Sequence, residues 1–196
     1  MNKPEKNNHR KLVKVRIDIY EQCHLLTIAL NQLERAKSEK QEHNKLTAIL
    51  PSMSFSVFSV EALCNTFGSQ LFSHWSHLDS TSLSGKVAII SEFLGIHPDF
   101  SKEPWQTINL MKKFRNALVH AKPQQATETH DVSIFHPDWL LPHPKSKKSI
   151  MENTSIESAE KFYKTASDLQ LLWSNSARAA GHEVKEVGVP EYIESQ

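Results

Sequence analysis

Glycine is scarce in this chain, with only five in 196 residues. A sheet-rich protein of this length spends more glycine on turns, so the shortage leans towards helices. Cysteine is scarcer still. Cys23 and Cys64 form neither a disulfide framework nor a C-x-x-C ligand pair, and both fall in apolar helical stretches, which predicts buried free thiols. Neither charge sign dominates: 23 Lys and Arg against 22 Asp and Glu leave a formal net charge of +1. That balance argues against holding nucleic acid by bulk phosphate neutralisation, while leaving local readout of RNA or chemistry on it open. The first twenty residues lack the uninterrupted apolar core of a signal peptide. No stretch approaches the roughly 20 apolar residues of a membrane helix. The expectation is a cytoplasmic protein with no membrane partner.

What is present suits one folded domain across residues 1–196. Hydrophobic residues make up 39% and charged residues 23%, too apolar for a disordered chain and ordinary for a globular one. The opening residues are basic: Lys3, Lys6, Arg10, Lys11, Lys14 and Arg16 face Glu5 alone. They read either as a solvated terminus or as a phosphate-contacting arm.

Hydrophobic spacing predicts an all-α, up-and-down bundle of about five helices. Leu12, Val15, Ile19, Cys23, Leu26, Leu30 and Leu33 recur at steps of three or four and predict a long first helix. A second runs over about 46–72, with Pro51 near its start or kinking it. Phe55, Val57, Phe58, Val60, Leu63 and Phe67 make it apolar nearly all round, as a central helix would be, and its serines are small enough for close neighbours. Residues 73–82 read as a loop, and a third helix follows over about 83–94. Ser101 is the expected N-cap of a fourth helix, with Pro104 in its first turn. Pro123 bounds that helix. A fifth spans about 155–180 on the stripe Ala159, Phe162, Tyr163, Ala166, Leu169, Leu172 and Trp173. Between 123 and 153 no helical period survives, so a long loop is expected before the last helix.

The chemistry-bearing stretch is Phe114-Arg115-Asn116-Ala117-Leu118-Val119-His120, near the end of the fourth helix. At about 100° per residue, Arg115 and His120 stand roughly 140° apart, so a straight helix does not aim them at one point. Asn116 and His120 share a face, which would let the amide fix the imidazole tautomer. On the second helix Glu61 and Asn65 also share a face. A carboxylate in such apolar company is costly unless paired or facing a cleft. The plain structural alternative is an Arg115–Glu61 ion pair with His120 as a partly buried capping residue.

Arg115-Asn116-x-x-x-His120 resembles the R-x(4–6)-H motif of the HEPN superfamily in its R-N-x-x-x-H form. The stretch Glu61-Ala62-x-x-Asn65 is similar to an E-A-x-x-N signature found on the second helix of several HEPN families. The likeness covers the helical core, about 10–122 plus 155–181, and leaves the insertion 123–153 without a counterpart. It departs from the nucleotidyltransferase-associated toxins, whose motif continues to a tyrosine; here His120 is followed by Ala121 and Lys122. The resemblance implies a metal-independent endoribonuclease, an effector of a toxin–antitoxin or defence system, with two copies of the motif converging in a homodimer cleft. It implies RNA as substrate and an antitoxin or other protein as partner, with no cofactor. His120 would transfer protons, Arg115 clamp the phosphate, Asn116 orient the histidine, and Glu61 and Asn65 support them. The alternative within the same family is a catalytically inert helical module that binds RNA or a partner protein.

Eleven histidines raise the question of a metal. His74 and His77 are three apart, and His130, His136 and His143 fall in the long loop, but no pairing of Glu-x-x-His on two helices, as in the di-iron bundles, occurs, and zinc sites use tighter, cysteine-containing spacings. No metal site is expected. Trp75, Trp105 and Trp173 are expected as packing anchors, and Trp139 as an anchor or a stacking platform for a base.

Overall fold

The computed structural model describes residues 14–120, 154–188 and 191–193. The loop 123–153, with Trp139 and its three histidines, lies outside the described residues, as do the basic residues before Lys14. Among the described residues five α-helices form the bundle: α1 (Gln22–Ser38), α2 (Glu42–Leu71), α3 (Leu83–Phe93), α4 (Trp105–Val119) and α5 (Ile156–Ala179). The all-α bundle expected from the hydrophobic spacing is the architecture observed.

The 30-residue α2 is the hub and touches each of the other four helices. Val57, Val60, Leu63, Cys64 and Phe67 are buried on it. Three small residues fully buried at the α1–α2 seam, Ala29, Ala36 and Ala48, let the two helices approach closely. Serines on α2 satisfy their hydroxyls on backbone carbonyls, so their burial leaves no polar group stranded. Ser52 donates across to Ala29 O at 2.8 Å, and Ser56 donates back to Ser52 O at 2.9 Å. Pro51 lies inside the helix, nine residues past its first. By length and composition alone, Asn44–Leu71 is also the one described helix able to cross a membrane, contrary to the expectation that no stretch is long enough. More than half of its most apolar window is buried by the bundle.

The remaining helices close around α2 through aromatic contacts. Trp173 of α5 packs 5.4 Å from Phe67, centroid to centroid, and its indole N–H donates to Ser91 Oγ of α3 at 3.0 Å. Phe162 of α5 meets Phe114 of α4 edge to face at 5.6 Å. Ser155 caps α5 by accepting from Ser158 N at 3.1 Å. Contrary to expectation, Ser101 does not cap α4. Its N–H and hydroxyl both go to Asp99 Oδ1, at 3.0 and 2.6 Å, and Pro104 takes the capping position. The Asx turn wins because a neighbouring carboxylate is the stronger acceptor.

The first helix begins ten residues later than Leu12. Lys14–Arg16 is instead a short strand, β1, paired antiparallel with β2 (Glu191–Ile193), Val15 opposite Tyr192. The cause lies in the residue types: Val13, Val15, Ile17 and Ile19 are β-branched at every second position, a strand pattern overlying the helical steps. Val15 and Ile19 accordingly stay outside the core, at 44% and 71% exposure. Between α5 and β2 the chain is held by side-chain amides. Gln70 pairs with both backbone groups of Lys185, and Glu186 accepts from Ser174 Oγ and Gln170 Nε2.

Candidate functional site

Residues 73–82, expected as a loop, contain a single 3₁₀ turn, Trp75–Leu78, that folds back onto α2. Gly68 makes this possible, because a Cβ there would lie 2.5 Å from Trp75 Cζ2 and closer still to Cε2 and Cδ2. The indole is buried and stacks on Phe72 at 5.8 Å. Its N–H donates to Asn65 Oδ1 at 3.3 Å. Asn65 is thereby committed to anchoring Trp75.

Above this turn a cleft of about 310 Å³ opens between α2, the start of α3 and α4. Four of the five residues singled out in the sequence line it: Glu61, Asn65, Arg115 and Asn116. Arg115 Nε lies 3.2 Å from Glu61 Oε1, and both side chains are about a third exposed. The pair is an ion contact without an aligned hydrogen bond, since the Nε–H is buried and no acceptor stands in line with it. One guanidinium nitrogen, Nη1, lies 3.5 Å from Asn116 Oδ1. The Asn116 side chain therefore faces Arg115 rather than the imidazole it was expected to orient. Neighbours on one helix compete for one amide, and the guanidinium offers more donors in reach.

His120 stands apart from this group. It is the C-cap of α4, exposed, with its backbone N–H donating to Asn116 O at 3.0 Å. It does not line the cleft. The helix ends at Val119, and no hydrogen bond or ion pair joins His120 to Arg115.

Several lining residues went unnoticed in the sequence. Lys86 of α3 and Lys112 of α4 project into the cleft, and the hydroxyl run Ser80-Thr81-Ser82 forms its wall. A signal was present: Lys112 precedes Arg115 by three residues and so shares its helix face. Lys86 carried none, because it meets the others only through the packing of α3 against α4. With Arg115 these lysines bring three cations against two carboxylates, Glu61 and Asp79. Cys64, buried beneath, is inert: burial pushes its thiol well above the ordinary range. No family model, curated protein or solved structure matches this chain.

Proposed function

We propose that the chain is a metal-independent endoribonuclease of HEPN type, acting in the cytoplasm as an effector of a toxin–antitoxin or defence system. The observation that carries this reading is the cleft beside Arg115: a guanidinium braced by Glu61 and Asn116 at the wall of a cation-lined, solvent-open site. A forked donor of this kind suits the phosphate oxygens on which charge grows during transphosphorylation.

The reaction needs no oxidant and no metal. A neutral imidazole removes the proton of an RNA 2′-hydroxyl, the O2′–P bond forms, and the P–O5′ bond breaks. A protonated imidazole gives its proton to the departing O5′, leaving a 2′,3′-cyclic phosphate and a 5′-hydroxyl. Two histidines divide this work most simply, one from each of two copies, and His120 lies on the exposed end of α4 where a second copy can reach it. Arg115 holds the phosphate throughout.

One observation favours a second reading. The cleft of a single chain contains the clamp but not the histidine, which is the arrangement of an inert module that binds RNA or a partner protein without cutting. Incubation of a labelled RNA in EDTA decides between them. Metal-resistant cleavage to a cyclic phosphate is expected, falling about 10²–10³-fold in Arg115→Ala and about 10²–10⁴-fold in His120→Ala. Binding without cleavage by the wild type sinks the nuclease and leaves the module.

A further inference from the structure

Two ammonium groups in the cleft are left unused by the chemistry assigned to Arg115 and His120. Lys86 and Lys112 are half-buried there. Among the described residues neither has a carboxylate within ion-pair distance. Lys86 Nζ stands 5.7 Å from the centroid of the Trp75 ring, and Lys112 Nζ lies 3.5 Å from Ser84 Oγ. Half-burying an ammonium without a counter-charge costs free energy that an arriving anion recovers.

The wall beside them has the same sign of preference. Ser82 caps α3 and accepts from Gly85 N at 3.3 Å, which leaves the Leu83 and Ser84 amides without intrahelical acceptors. No acidic side chain occupies that first turn, so the positive end of the helix is uncompensated. Glu61 is tied to Arg115, and Asp79 is exposed and pairs with neither lysine. At about 310 Å³ the cleft sits at the lower end of the roughly 300–1,000 Å³ typical of small-molecule sites, room for a nucleotide unit rather than a bare ion.

We infer that Lys86, Lys112 and the start of α3 form a phosphate subsite, which holds the phosphodiester neighbouring the one that Arg115 engages. The subsite rests on the proposed reading only for RNA as the source of the phosphate. Lys112 and Arg115, one turn apart on α4, then grip consecutive positions of one strand, and Lys86 closes the grip from α3.

The test is fluorescence anisotropy of the full chain with a 2′-O-methyl oligoribonucleotide, which lacks the attacking hydroxyl and cannot be cut. Lys86→Gln and Lys112→Gln are each expected to weaken binding by roughly three- to tenfold at low salt. Each should also flatten the slope of log affinity against log salt by about 0.7, the counterion release of one single-strand contact. Lys40→Gln, in the α1–α2 connection, should change neither. A double Lys→Arg variant should restore the slope, which a merely structural role for the lysines would not predict. An unchanged affinity and slope in the double Gln variant overturns the subsite. Inorganic phosphate displacing the oligonucleotide at equal phosphate concentration overturns RNA as its source. Cleavage of unmodified RNA is read in parallel. Its absence, with the lysine dependence intact, removes the nuclease reading and supports the subsite.

Discussion

Replacing Gly68 by alanine tests whether the Trp75 turn is built as described, because two effects of opposite sign meet there. In a helix interior the change normally stabilises by about 0.5–1 kcal/mol, since alanine loses less backbone freedom on folding. Here the added Cβ would fall within 2.5 Å of three indole carbons. Forcing a methyl into a packed core costs about 1–3 kcal/mol, and expelling the indole approaches the roughly 3–5 kcal/mol of deleting a buried tryptophan. The ring is large and rigid, with stacking on Phe72 and a hydrogen bond to Asn65 to lose. Overpacking therefore wins, and Gly68→Ala should destabilise by about 2 kcal/mol, lowering the melting temperature by about 4–8 °C. Urea unfolding followed by far-UV circular dichroism measures it. The sign should invert in a Trp75→Leu background, where the Cβ has room and alanine should stabilise by about 0.5–1 kcal/mol. A Gly68→Ala variant that is more stable than the wild type in both backgrounds would refute the reasoning.

Ser91→Ala should cost about 1–3 kcal/mol in the same unfolding assay, because it strands the buried Trp173 indole N–H; a neutral change would mean that the bond contributes nothing. Glu103 is pulled up by burial, yet the Lys161 ammonium and the Thr107 hydroxyl more than offset this and hold its carboxyl below the usual range. A depressed folded-state value means that its contribution is present above the unfolded value and is lost as pH falls through the folded one. Glu103→Gln should therefore cost about 0.2–1 kcal/mol at neutral pH and nothing once acid has protonated the wild-type group, with a pH-independent difference counting against the pair. Alkylation read by mass spectrometry should label the partly exposed Cys23 in the native chain and the buried Cys64 only after unfolding; native labelling of Cys64 would show that the α2 core opens.

The helices were legible in the sequence wherever burial alone decides structure. Helices α3 and α5 fall where expected, α5 on its expected stripe, because their apolar residues have one face to bury and no competing period. Legibility failed where two local patterns overlapped. The alternation of Val15, Ile17 and Ile19 satisfies a strand as well as a helix, and its partner, Glu191–Ile193, lies at the far end of the chain, where no local window reaches. Ser101 failed for a related reason, since a capping serine and an Asx-turn serine look alike until Asp99 is seen to take it. At the site, the association of Glu61 with Arg115 was foreseeable, because leaving the carboxylate unpaired is the costlier alternative. The role of Asn65 was not, because its partner Trp75 is brought back by a turn that only Gly68 permits.

His120 is where the proposed chemistry stands or falls, and its surroundings dictate how a second copy must approach. Leu110, Lys113, Ala117 and His120 follow one another at steps of three and four, a single exposed stripe on α4. Leu110 is 41% exposed, and Ala117 is small enough to let another helix come close. Antiparallel packing of two copies on this stripe would bury Leu110 and carry each His120 towards the other chain. Leu110→Glu places a charge at that seam without touching the core, so it should leave helicity and melting unchanged. Sedimentation should then show a dimer for the wild type and a monomer for the variant, with cleavage lost alongside assembly. A wild type that sediments as a monomer yet cleaves RNA would remove the two-copy site, and a Leu110→Glu variant that stays dimeric and active would move the interface elsewhere on the bundle.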